Sequence, residues 1–239
     1  MAIKIENVVT PSAEQWEAII RGTRNPKNSW DKSDSDYSFK APDGTPCIGK
    51  NDLDLMNRLA KAGTDHRKFM RMIVVYADIT APLYWWKEFD TYKVGTIRNS
   101  CSTMHKITEK EFIREDFSHE HLEDMPLMVS TAVLGGIERY NIMGSTTLDV
   151  VIATLNNARL NYLKGKENGA DYHTLKRYWW QIIQLLPSSY NQKSTVMMNY
   201  EVLANMYHSR KNHKLDEWVE FCKWIESLPY SELITGGDV

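Results

Sequence analysis

Cys101 stands between Ser100 and Ser102 in the polar run Val-Gly-Thr-Ile-Arg-Asn-Ser-Cys-Ser-Thr-Met-His, residues 94–105. A thiol there is a nucleophile only if a base or cation activates it, and no local base is legible, so packing among small residues is the plainer reading. His66 follows Gly63-Thr64-Asp65 and precedes an apolar run, a place for a helix-capping or surface histidine. Ser209-Arg-Lys-Asn-His-Lys214 is a basic run at the end of a helical pattern, whose ordinary role is a solvated C-terminus favoured by the helix dipole. The cysteines, Cys47, Cys101 and Cys222, form no CxxC pair and are odd in number, so neither a zinc site nor a disulfide framework is expected.

The chain around these residues reads as one helix-rich α/β (α+β) domain with a small sheet, spanning residues 1–239. That length can bury a full core. Lys and Arg total 29 against 31 Asp and Glu, so no overall field draws the chain to nucleic acid or to an anionic membrane. No stretch approaches the roughly 18 apolar residues of a membrane span, and the N-terminus lacks the apolar run of a signal peptide. Together with the unpaired cysteines, this gives a cytoplasmic expectation. Eight Trp and twelve Tyr are a heavy aromatic load. They fit either a core and oligomer interface rich in rings or stacking platforms for a planar ligand. The Trp85-Trp86 and Trp179-Trp180 pairs fit core and subunit packing.

The elements that must position these residues follow from periodicity. Alternation over 3–9 predicts a strand, and Thr10-Pro11-Ser12 then starts a helix carrying Trp16, Ile19 and Ile20. Residues 23–50 read as a long loop. A helix over 51–62 leads to Gly63, and 70–79 reads as a strand ended by Ala81-Pro82, which seeds a helix from Leu83 to Tyr92. Residues 94–105 read as loop, and 108–125 as a solvated segment of alternating charge. Helices are predicted over 146–163 and 172–186, the second stopping at Pro187. A strand over 194–199 follows, then a helix to Arg210 and a last helix over 214–227.

Two stretches carry a resemblance to a known family. The first runs from His66 through Ala81-Pro82 to Asp90. It is similar to the segment of flavin-dependent thymidylate synthases in which a histidine precedes a strand, an Ala-Pro-like turn and a helix. The second is Leu186-Pro187, then Asn199, Leu203, Asn205 and Arg210 in ungapped register, which resembles that family's C-terminal pattern. With the helices between them, the two cover about two thirds of the chain. The family's arginine-histidine-arginine signature falls on Thr91, Tyr92 and Lys93, and its loop serine and arginine on Cys101 and Thr103, or with a one-residue gap on Ser102 and Met104. Glu201 stands where the family has an arginine. Phosphate recognition calls for charge-assisted donors, and Lys87, Lys93 and Arg98 are the point charges available to stand in.

The resemblance implies transfer of a methylene from methylenetetrahydrofolate to dUMP, with FAD supplying hydride and NADPH recharging the flavin. It implies His66 at the isoalloxazine and Lys93, Asn199 and Asn205 in cofactor contact. Glu88, Cys101, Ser102 and Arg210 fall at the substrate, with no metal. It further implies a homotetramer with shared active sites. The alternatives are a nucleotide-binding or sequestering relative without redox chemistry, which Thr91-Tyr92-Lys93 favours, and a structural subunit that binds no small ligand. Read without the resemblance, Glu88 is a solvated carboxylate, and Asn199 and Asn205 are cap and surface amides. The asparagines meet in a common pocket only if their helix begins near residue 200.

Overall fold

A computed structural model describes residues 3–41, 44–122, 126–133 and 136–236. The chain forms two compact units: one gathers Ala81–Tyr84 with Cys101–Gln192, and the other gathers the chain up to Thr80, Trp85–Ser100 and the chain from Lys193 onward.

The second unit begins with β1, Lys4–Val9, and α1, Ala13–Arg24. Ser12 caps α1 in a reciprocal box: its hydroxyl accepts from the Gln15 amide while its own amide donates to the Gln15 side chain. One face of α1 is apolar and buried, through Trp16, Ile19 and Ile20. The stretch read as a loop, 23–50, is more structured than that. It holds the last turn of α1, 3-10 turns at Asn25–Lys27 and Trp30–Lys32, and a small hairpin of β2, Asp36–Lys40, and β3, Pro46–Cys47. Helix α2, Lys50–Lys61, follows.

Arg67–Arg71 is a 3-10 turn, and β4 runs Val74–Pro82, so the expected strand starts four residues late. Phe69 and Met70 are buried from the turn rather than from a strand, an arrangement that apolar content alone does not distinguish. Helix α3, Leu83–Phe89, follows directly. β5, Thr96–Ser100, corrects the reading of 94–105 as loop: it pairs antiparallel with β8, Asn191–Asn199, from Thr96↔Met198 to Ser100↔Ser194. Its polar composition suits an edge, with Ile97 largely exposed, and backbone pairing with β8 overrides its weak strand propensity. The sheet order is β1-β4-β8-β5. Val75, Ala77 and Ile79 of β4 and Ser194, Val196 and Met198 of β8 are all buried, the period-two signature of a sheet with one covered face.

The first unit contains α4, Thr103–Lys106, the hairpin of β6, Pro126–Val133, and β7, Gly136–Met143, then α5, Gly144–Glu167, and α6, Tyr172–Leu185. Its core is Ile107, Phe112, Phe117, Leu148, Leu155, Ala158 and Ile182. The segment 108–125, read as solvated, therefore contributes two buried phenylalanines. Of that segment, residues 123–125 lie outside the described residues. Asp171 caps α6 by accepting from the His173 and Thr174 amides, and Pro187 follows its end.

The second unit closes with α7, Tyr200–Arg210, α8, Asp216–Glu226, and the short α9, Glu232–Thr235. Trp85, Trp86 and Phe89 of α3 pack with Trp218 and Phe221 of α8 in a buried aromatic cluster, with ring centroids 4.8–6.3 Å apart. That places the first tryptophan pair in the core. Trp179 packs against the core of the first unit, and Trp180 is exposed. The fold is the expected helix-rich mixture with small sheets. Among the described residues, no helix is long and apolar enough to cross a membrane.

Candidate functional site

Helix α7 organises two charged clusters. It begins at Tyr200, immediately after Asn199, whose side chain accepts from the Val202 amide and so caps the helix. The cap is seated by Gly95: the Asn199 amide donates to the Gly95 carbonyl at 3.2 Å, and Gly95 has φ +91°. A Cβ on Gly95 would lie 2.6 Å from Asn199 Nδ2, so the close approach needs glycine. Asn205 is exposed, and its Oδ1 accepts from Arg67 Nη2 at 3.3 Å. The helix starts where a shared pocket required, yet the two asparagines have different partners. The side chain of Asn199 is committed to backbone order, while Asn205 belongs to a surface polar cluster.

That first cluster joins the turn Arg67–Arg71 to α7. Glu201 accepts from Arg67 Nε at 3.4 Å and from both Nε and Nη2 of Arg71. Hydrogen bonding and charge from Arg71, with help from Arg67, hold the Glu201 carboxyl below the usual carboxylate range. His66 sits exposed at the head of the turn. The carboxylate at 201 therefore does not leave a bare negative charge in the site; it fixes two guanidinium groups. Sequence reasoning passed over Arg67 and Arg71, although their spacing of four beside His66 was a usable signal.

The second cluster lies where α7 ends. Glu88 Oε2 is 2.8 Å from Arg210 Nη1 and 3.6 Å from His213 Nε2, and it accepts from Trp218 Nε1 at 2.9 Å. Arg210 Nε donates to the Tyr92 hydroxyl at 3.0 Å, and the guanidinium carbon lies 5.0 Å from the centroid of the Trp218 ring. Two residues expected at the substrate, Glu88 and Arg210, thus meet as an ion pair framed by aromatic rings. Tyr92 presents a hydroxyl that accepts from Arg210 and orients it. The Arg210 side chain is 21% exposed. Beyond these two bonds, its guanidinium fork makes no further hydrogen bond among the described residues.

The other point charges differ in availability. Arg98 is committed: Nη1 donates to Asp90 at 2.7 Å, Nε to Ser194 at 2.9 Å, and its carbon lies 3.8 Å over the Trp86 ring. Lys87 and Lys93 are exposed, with no ion pair among the described residues. Cys101 and Ser102 belong to the other unit. Both are exposed. Ser102 caps α4 by accepting from the His105 amide, and the Cys101 carbonyl accepts from Gln192. They line a small pocket of about 130 Å³ with Lys106, Lys110 and Tyr190. Among the described residues no group of His, Cys, Asp and Glu has the arrangement of a metal site.

No family model matches the sequence, and no curated protein does. Solved structures do match. A Helicobacter pylori thymidylate synthase X (ThyX), solved with FAD and dUMP at 2.31 Å resolution, superposes with a TM-score of 0.59 at 15% identity, over 98% of this chain and 97% of that one. A second structure of the Helicobacter pylori flavin-dependent enzyme, also complexed with FAD and dUMP, gives 0.57 at 14% identity, over 98% of each chain. The chain therefore shares the fold of these enzymes over 98% of its length.

Proposed function

We propose that the protein is a divergent thymidylate synthase-like flavoprotein that methylates a deoxyuridine monophosphate, using FAD, methylenetetrahydrofolate and NADPH. The observation that carries this reading is Arg210: the full-length likeness places the chain in a fold that elsewhere holds FAD and dUMP, and here an oriented guanidinium stands at the end of α7 against an indole face.

In this reading Arg210 takes the nucleotide phosphate. The exchange is favourable. A partly exposed pair such as Glu88–Arg210 contributes only about 0–1 kcal/mol, whereas charge-assisted bonds from a guanidinium to phosphate are worth about 1.5–3 kcal/mol each. Tyr92 keeps Nε fixed while Nη1 changes partner, and Trp218 supplies the apolar wall. The donors at the head of α7 fit a flavin. Arg67 and Arg71 both pair with Glu201 and are the guanidinium donors there for a phosphate, and Asn205 offers an exposed amide to a ring edge. His66 and Lys93 are assigned to the flavin on the resemblance. When bound, FAD supplies the hydride that turns the transferred methylene into a methyl group. Cys101 and Ser102 are assigned to the substrate on the resemblance alone. A homotetramer in the cytoplasm belongs to the same proposal.

A second reading, a nucleotide-binding relative without redox chemistry, is favoured by a specific observation: Glu88 holds Arg210, and Glu201 holds Arg67 and Arg71, guanidinium groups that a phosphate would otherwise take. One experiment separates the two. After incubation with excess FAD and desalting, the proposal expects flavin bands near roughly 370 and 450 nm that stay with the protein and shift on dUMP titration. Arg210→Ala should abolish the shift. Glu88→Gln, which keeps an acceptor for Trp218 but removes the charge, should tighten dUMP binding by about 5–10-fold. A colourless protein that still binds dUMP would replace the first reading with the second.

A further inference from the structure

A large concavity of the second unit contains none of the residues assigned above. It is an open groove of about 1060 Å³ between the 24–32 segment and α2, lined by Arg24, Lys27, Ser29 and Lys32 on one side and by Asn51, Asp54, Leu55, Asn57, Arg58 and Lys61 on the other. Four of its cations, Lys27, Lys32, Arg58 and Lys61, are exposed and have no ion pair among the described residues, and they face a single lining carboxylate, Asp54. In a chain whose formal net charge is −2, such a concentration is not an average surface.

The walls are held in place. Arg24 and Asp52 are almost fully buried beneath the groove and paired at 2.5 Å. Arg24 also donates to the Ser29 and Lys32 carbonyls, at 3.1 and 2.9 Å, so the backbone carrying two of the lysines is fixed from below. On α2, Asn51, Asp54, Arg58 and Lys61 fall on one helical face that extends about 15 Å. Arg58 Nε donates to the Asp54 carbonyl, which orients the remaining donors of its fork. The cations repel one another, and Asp54 is the one carboxylate among the lining residues to offset this.

The lining also decides the class of ligand. Pockets for organic ligands are mainly apolar and aromatic, and here Leu55 is the one apolar residue of the lining. No lining residue offers a stacking ring for a base, while lysine is a compact point-charge partner for phosphate. We infer that this groove binds a polyphosphate chain, either free or as the phosphate tail of a nucleotide.

Titration calorimetry of the full chain in low salt tests this with sodium tripolyphosphate, ATP and orthophosphate as probes. Saturable tripolyphosphate binding is expected, much tighter than orthophosphate. The triple variant Lys27→Ala, Lys32→Ala, Lys61→Ala should weaken it by at least about 30-fold. A control, Lys164→Ala, Lys166→Ala, Lys176→Ala, removes the same charge from exposed sites elsewhere and should leave the affinity within about twofold. Equal affinity for ATP and tripolyphosphate would identify the phosphate chain alone as ligand, and ATP tighter by about tenfold would identify a nucleotide; both uphold the inference. Absence of saturable tripolyphosphate binding, or equal weakening in the two triple variants, would overturn it. So would tight binding of a single-stranded oligonucleotide that tripolyphosphate does not displace.

Discussion

Asp52 carries the strongest stability prediction. It is 1% exposed and accepts four hydrogen bonds, from Arg24 Nε, Ser33 Oγ, the Asp34 amide and Ser35 Oγ, at 2.5–3.2 Å. Bonds to a charged acceptor are worth about 1.5–3 kcal/mol each, which would give a loss of roughly 6–12 kcal/mol if all four simply vanished. They do not all vanish, because Ser33 and Asp34 are exposed and can turn to water. Arg24 cannot, at 3% exposure, so Asp52→Asn strands a buried guanidinium. The expected cost is the about 3–5 kcal/mol of breaking a buried pair, a large share of the about 5–15 kcal/mol that domains have. Urea unfolding at pH 7, followed by far-UV circular dichroism and tryptophan fluorescence, measures it. Replacing both partners, Arg24→Met with Asp52→Leu, should be milder than Asp52→Asn, since no uncompensated charge remains. The pH profile adds a check. Burial pushes the Asp52 carboxyl up, but hydrogen bonds from Ser35, Ser33 and Arg24 outweigh it and hold the group below its usual range. Its stabilising contribution is therefore full above about pH 4 and fades as pH falls, so the Asn variant should show a flatter acid limb. A loss under about 1 kcal/mol, or an unchanged acid limb, would refute the reasoning.

Three other outcomes follow from single sites. Gly95→Ala combines φ +91° with a 2.6 Å contact to the Asn199 amide and should cost about 1–3 kcal/mol, read as a lowered midpoint of thermal unfolding; an unchanged midpoint would mean Asn199 is not seated on that turn. Titration with a thiol reagent at pH 8 should label exposed Cys101 rapidly and leave Cys222 unlabelled until unfolding, because burial pushes the Cys222 thiol up to about 12. On the sheet, hydrogen bonds from Thr195, Asn7 and Lys193 hold the Asp78 carboxyl down at about 2. Its stabilising effect is present above about pH 4 and is lost as pH falls toward 2, so Asp78→Asn should remove that portion of the acid-induced loss seen in the wild type.

The sequence by itself determined most of the helices and one end of each site. The S-x-x-Q box at Ser12, the periodic apolar faces of α2, α5 and α6, and Pro187 after α6 are local signals, because capping and amphipathicity act within a few residues. Asn199, Asn205 and Arg210 were singled out by the family resemblance rather than by a local signal, and the start of α7 at Tyr200 is what the structure supplies. Partnership was not legible. That Glu88 faces Arg210 across 122 positions, that Tyr92 orients it, and that Glu201 binds Arg67 and Arg71 depend on where α3, α7 and α8 pack. β5 was missed because an edge strand takes its order from the backbone of β8 rather than from its own side chains. Two of the groove's lysines, Lys27 and Lys32, lie in a stretch that read only as a loop, and the third, Lys61, lies on α2. Arg24 and Asp52, 28 residues apart, gave that stretch a fixed shape, since a buried charge demands its partner and the chain between must follow.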